Sequence, residues 1–208
     1  ITFVLEKKFK KYKNRLVKLL IKQPTILRVN KLESTFYDIP LKIKGGLSLS
    51  DNKISTSLYS SVFELEKIKQ LFPALKNWKF SGQGKAKVFI TGKTTNPLIS
   101  GEVTAPKMKV YGFRPEDINL KYKFKNKNLL LEISKGKLYN GDLRGTGTVE
   151  FAYSPPLIDL ELIGNELKIN KTFPSLNNNV QGTFNNITSV YGDTGGYEIS
   201  STVSGETL

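Results

Sequence analysis

The side chains able to do chemistry in this 208-residue chain are carboxylates, lysines and hydroxyls, because it contains neither histidine nor cysteine. Without histidine it lacks the commonest general base and metal ligand, and without cysteine it has no thiolate or disulfide chemistry. The best remaining pair is Asp159 and Glu161. They share one face of a strand at a separation compatible with paired-carboxylate catalysis. The same strand carries Ile158, Leu160 and Leu162 on its other face, so the acids read as its solvated side. Asp142 and Glu150 read as cross-strand partners for lysine. Gly82-Gln83-Gly84-Lys85 fails as a phosphate loop: Lys79 stands where the first glycine belongs, and Ala86 where Ser or Thr would follow the lysine. Asn186-Ile187-Thr188 has the form of a glycosylation acceptor, a match common by chance. These residues predict no catalytic site, metal or cofactor, so the chemistry expected of the chain is binding.

Charge narrows the partner. The formal net charge is +14, a field that favours nucleic acid, lipid headgroups or other anions. Lys121-Tyr122-Lys123-Phe124-Lys125 interleaves cations with aromatics, as a nucleic-acid platform does. On a strand, however, successive residues face opposite ways, so Lys121, Lys123 and Lys125 point to water and the rings point elsewhere. No nucleic-acid partner is expected.

The elements that position these residues are mostly strands. Residues 5–22 are the first exception: Leu5, Phe9, Tyr12, Leu16 and Leu19 recur at helical spacing among lysines, and Pro24 ends the run. The second is a helix expected near 61–76, with a capping box at Ser61-Val62-Phe63-Glu64 and a stop at Pro73. Elsewhere the period is two. Val88 and Ile90 alternate with Lys85, Lys87 and Phe89. Leu120, Tyr122 and Phe124 alternate with lysine. Leu129, Leu131 and Ile133 follow the turn at Asn126-Lys127-Asn128. Val149 and Phe151 end a strand that Pro155-Pro156 stops, and Leu160 and Leu162 alternate with the two acids. These twelve apolar residues are expected to line one surface. Each strand thus has one apolar and one lysine-rich face, as in an antiparallel sheet wetted on one side. The two expected helices are too little to cover the apolar side.

A pattern also recurs about 100 residues apart: Gly82 and Gly92 are matched by Gly182 and Gly192, and Phe72-Pro73 by Phe173-Pro174. Such a period marks one supersecondary unit used twice.

In order, Leu71-Phe72-Pro73-Ala74-Leu75, Ser81-Gly82-Gln83-Gly84, Gly92, Asn96-Pro97-Leu98-Ile99-Ser100-Gly101-Glu102-Val103 and Gly136 to Gly147 resemble repeats of the AsmA-like superfamily, of the TamB and YhdP type. The resemblance covers about residues 35–192. It implies a long, strongly curved antiparallel sheet forming an open groove, a β-taco, with one or two short helices. The expected organisation is a basic segment at 1–30, a first groove repeat at 31–164, and the start of a second at 165–208. The resemblance further implies a segment of a periplasmic protein, anchored in the inner membrane by a part of the chain not included here. Its groove would carry phospholipid acyl chains between the inner and outer membranes and have no catalytic residues. The alternative is a scaffold that adds strands to outer-membrane barrel proteins.

Overall fold

The structure is a computed structural model that describes residues 3–6, 26–71, 75–172, 182–193 and 196–207. The alternation of apolar and polar side chains produces a single antiparallel sheet: β1 Phe3–Glu6, β2 Ile26–Phe36, β3 Ile39–Ser48, β4 Lys53–Ser60, β5 Phe63–Glu64, β6 Phe80–Lys93, β7 Asn96–Val110, β8 Glu116–Lys125, β9 Asn128–Leu138, β10 Gly141–Glu150, β11 Leu157–Lys168, β12 Gly182–Asp193 and β13 Gly196–Thr207. Each strand pairs with its neighbours in sequence, except that β4 pairs directly with β6 while the short β5 docks beside β4 on the same partner. The sheet does not close into a barrel.

Meander topology follows from tight turns. Tyr37-Asp38, Asn126-Lys127 and Tyr139-Asn140 adopt the left-handed conformation that suits two-residue hairpins in a right-twisted sheet. Register slips recur in β2–β3, β6–β7, β8–β9, β9–β10 and β11–β12. Those in β6–β7, β8–β9, β9–β10 and β11–β12 lie in the half of the strands beside the β2–β3, β7–β8 and β9–β10 turns, called here the closed end, while the β2–β3 slip, between Val29 and Leu32, lies near mid-strand. Bulges in register across neighbouring strands bend a sheet there.

Helix is scarcer than the sequence spacing predicts. Residues Leu65–Lys67 form a 3-10 turn and Ile68–Leu71 a single α-helical turn. The expected capping box is not formed: Phe63 and Glu64 are extended and pair with Gly84 and Gln83, and Glu64 makes no side-chain cap bond. Burial of the Phe63 ring, 6% exposed, outweighs the helical propensity of this stretch. At the N-terminus, Leu5 and Glu6 belong to β1, paired with Leu27 and Ile26, rather than to the start of a helix. The rest of the 5–22 prediction lies outside the described residues. A second α-helical turn, Ile169–Thr172, precedes β12.

The repeat has a structural counterpart. Gly82 and Gly92 in β6, and Gly182 and Gly192 in β12, all have positive φ, at 130°, 101°, 149° and 142°. Each strand follows a one-turn helix and opens into a hairpin. Glycine recurs because other residues are strained in that conformation.

The core is small and sits at the closed end. Ile39, Phe63, Leu65, Ala105, Ile118 and Leu143 form one buried cluster, with Ile68, Phe80, Met108 and Leu138 packed around it. The segment from Phe63 to Ile68 is the second layer there. Ser60 bridges the gap where β4 gives way to β5, its Oγ accepting from the Ala86 N–H at 2.6 Å.

Candidate functional site: an open apolar face

Cross-strand partners in an antiparallel sheet share a face, so the register can be followed from strand to strand. One row runs Leu32, Ile43, Leu58, Val88, Gly101, Tyr122, Leu131, Gly147, Leu160, Val190 and Ile199. The next, toward the opposite or open end, runs Thr56, Ile90, Ile99, Phe124, Leu129, Val149 and Ile158. On the closed side, Val103, Leu120, Ile133, Gly145 and Leu162 form a third. Eleven of the residues expected to share a surface therefore do so: Val88, Ile90, Leu120, Tyr122, Phe124, Leu129, Leu131, Ile133, Val149, Leu160 and Leu162. Phe151 is the exception in part. β10 ends at Glu150, and Phe151 lies in the turn beyond, 39% exposed. Its ring still meets Phe124 edge-on at 6.0 Å, so it caps the same face at the open end.

Ile43, Leu58, Ile99, Val103 and Val190 were missed as members of this face, and Ile158, read on the same face as Leu160 and Leu162, joins it. The signal was present as the same period-two alternation, but glycine, serine and threonine interrupt it in β3, β4 and β7. Pairing register is what joins these residues to the others.

The face is neither a packed core nor a free surface. Its residues in the central and open-end rows of β6–β11 are half-buried, and no large side chain among the described residues is fully buried. Burial falls from Ala105, 2% exposed at the closed end, to Phe151 at the open end. Large side chains lie down over glycines rather than standing up: Tyr122 over Gly101, Leu160 over Gly147, and Leu162 over Gly145. The Tyr122 hydroxyl is pushed up to about 12 by this burial, so the phenol is neutral across the physiological range. On β12 and β13 the face becomes mixed: Asn186 donates to Ser201 Oγ at 2.6 Å and Thr188 to Asn186 Oδ1 at 2.7 Å.

The opposite face is a wetted surface. Lys87 meets Glu102 at 2.6 Å, which raises the lysine pKa through that hydrogen bond and charge pairing. Lys31 and Lys42 flank Glu33 and lower its pKa, chiefly through the Lys31 hydrogen bond. Lys121 lies 3.8 Å from Glu132. Asp159 and Glu161 are exposed here; their cross-strand neighbours are Thr148 and Tyr191, and Thr146 and Ser189. Gly82 to Lys85 lies within β6 rather than in a strand-to-helix loop. Among the described residues, no group of acids gathers as metal ligands, and no helix is long and apolar enough to cross a membrane.

No protein-family model matches the chain, and neither does a curated protein or a solved structure.

Proposed function

We propose that this chain is a lipid-binding segment whose apolar face holds acyl chains, as part of a protein that moves phospholipid between the two membranes of a bacterial envelope. The observation that carries the reading is a continuous, half-buried apolar surface spanning many strands and covered, among the described residues, only at its closed end. A soluble sheet must cover such a face with another layer or a ligand. A two-tailed lipid supplies that cover without the polar contacts a peptide would require. The resemblance to AsmA-like repeats supports the envelope setting.

The test is lipid loading. The protein is incubated with phospholipid vesicles, separated from them, extracted and analysed by mass spectrometry. Wild-type protein retains phospholipid. The double variant Phe124→Asp, Leu131→Asp retains little, because a carboxylate against acyl chains costs more than the roughly 2–7 kcal/mol of a neutral polar group, whether it stays ionised or takes up a proton. Circular dichroism checks that the variant keeps its sheet. Equal loading of a folded double variant refutes the groove.

A second reading rests on a separate observation. β13 pairs over twelve residues with β12 and has no other strand partner among the described residues. Such an edge can accept an extended segment of a barrel protein. That scaffold role predicts binding of unfolded barrel strands by protein that carries no lipid.

A further inference from the structure

We propose that the open-end rim of the groove is a headgroup site that selects lipids bearing an anionic phosphate headgroup. The proposal rests on the groove reading above and adds the class of lipid. The hairpin tips at 51–53, 93–96 and 125–127 are bonded into one line. The Thr94 N–H donates to the Asn52 carbonyl at 2.8 Å, Asn96 Nδ2 donates to Asn126 Oδ1 at 2.6 Å, and the Phe151 N–H donates to the Lys127 carbonyl at 2.8 Å.

This line carries Lys53, Lys93, Lys125 and Lys127, none of which forms an ion pair among the described residues. Some lysines elsewhere on the sheet meet acids: Lys67 with Asp38, Lys87 with Glu102, Lys121 with Glu132 and Lys137 with Asp117. Others, such as Lys85, Lys109 and Lys123, also form no ion pair among the described residues. What sets the rim apart is the crowding of its lysines at bonded tips. Lys53 and Lys93 are direct cross-strand partners, an arrangement of like charges that destabilises a sheet. Lys127 holds φ at 65° in a turn position that favours glycine. Asp51 lies on the line itself, and Glu150 precedes Phe151, which bonds to the line. Asp51 accepts from Ser50 Oγ, and neither forms an ion pair among the described residues.

A local rule broken at neighbouring tips, with no compensating ion pair among the described residues, points to a partner outside the fold. One residue inward the face is apolar: Ile54, Phe124 and Val149 lie beneath the tips. Lys53, Lys93 and Lys125 stand on the lysine-bearing face, next to the turn, where their methylene stems can carry the ammonium groups around the tip. Apolar floor and cationic rim together match an amphiphile with an anionic head.

The test compares vesicles of phosphatidylglycerol with vesicles of phosphatidylcholine, scoring lipid retained after separation. Wild type is expected to prefer phosphatidylglycerol by at least about tenfold at low salt, with the preference shrinking as salt screens the rim. Replacing Lys53, Lys93, Lys125 and Lys127 with Gln should bring the two lipids within about twofold and leave phosphatidylcholine loading unchanged. A charge-matched control replaces Lys85, Lys109, Lys121 and Lys123 with Gln and should keep the preference. If wild type loads both lipids equally, the rim proposal fails while the groove stands. If the control loses the preference as fully as the rim variant, the overall charge acts rather than the rim, and the proposal fails. If neither lipid is retained, the groove reading itself fails and takes this one with it.

Discussion

Leu65 offers a direct measure of how the closed end is sealed. Its side chain is 3% exposed and lies over Gly84, where an added Cβ would come within 2.8 Å of Leu65 Cδ2 and 3.0 Å of the Thr104 carbonyl. Leu65→Ala removes the atoms that fill this space. Buried leucine truncations cost ~2.7–5 kcal/mol, rising with the cavity left behind. Leu65 belongs to a short segment resting on an open sheet, so the site can partly collapse, and the expected cost is ~2.5–3 kcal/mol. Gly84→Ala alone should cost ~1–3 kcal/mol, because the new methyl presses on Leu65 and on backbone. In the Leu65→Ala background the main side-chain clash is gone and the methyl fills part of the cavity. The two changes should therefore be less than additive by about 1 kcal/mol. Urea unfolding of the four proteins, with equal slopes, completes the cycle. A cost below about 1 kcal/mol for Leu65→Ala, or strict additivity, would refute the claim that residues 63–68 are packed on the sheet.

Other expectations follow from the same geometry. Tyr122 should be among the last tyrosines to ionise in a spectrophotometric titration, since burial holds it near 12. Its folded pKa is above the unfolded value of about 10, so its contribution to stability is complete below pH 10 and is lost as pH rises from 10 through 12. Tyr122→Phe should flatten that part of the alkaline stability profile, and an unchanged profile would refute the burial argument. Lys121→Gln with Lys123→Gln should change stability by no more than about 0.5 kcal/mol each, measured by denaturant midpoint, because both sit on the wetted face. Gly112→Ala and Gly82→Ala both force a side chain into positive φ, at 102° and 130°. At Gly112 nothing lies within 4 Å of the new methyl, whereas at Gly82 it meets the Lys107 carbonyl at 2.6 Å. The first should cost about 1 kcal/mol of backbone strain, and the second about 1–2 more. Equal midpoints for the two variants would show that contact adds nothing.

Sheet and face were legible because their signal is local. Leu120-Lys121-Tyr122-Lys123-Phe124 states its own period, and pairing only has to respect it. The extent of the helices was not legible. Ser61 to Glu64 has the spelling of a capping box, but the Phe63 ring gains more by packing into Ile39, Leu65 and Ala105 than the helix gains by a cap. That gain depends on residues far away in sequence. The lysine rim was invisible for a related reason. Lys53 and Lys93 are forty residues apart and ordinary by themselves, and only the β4–β6 register sets them opposite each other. The jump from β4 to β6, with β5 inserted beside it, is the step that a purely sequential reading of hairpins does not anticipate.

Glycine placement explains how the apolar face of the described strands stays low. If every inward position carried a large side chain, the rows would stand upright and interdigitate into a solid layer, as in a sandwich core. Here glycine recurs along the rows, at Gly101, Gly145 and Gly147, and the neighbouring Tyr122, Leu162 and Leu160 lie across it. Each loses exposed area by covering backbone instead of meeting a partner from above. The floor is thereby low and apolar, which is what the proposed acyl-chain site requires. A lipid-binding groove needs that compromise along its length. A sheet destined for a second protein layer would gain more from tall side chains, and the glycines opposite Tyr122, Leu160 and Leu162 would then be costs without a purpose.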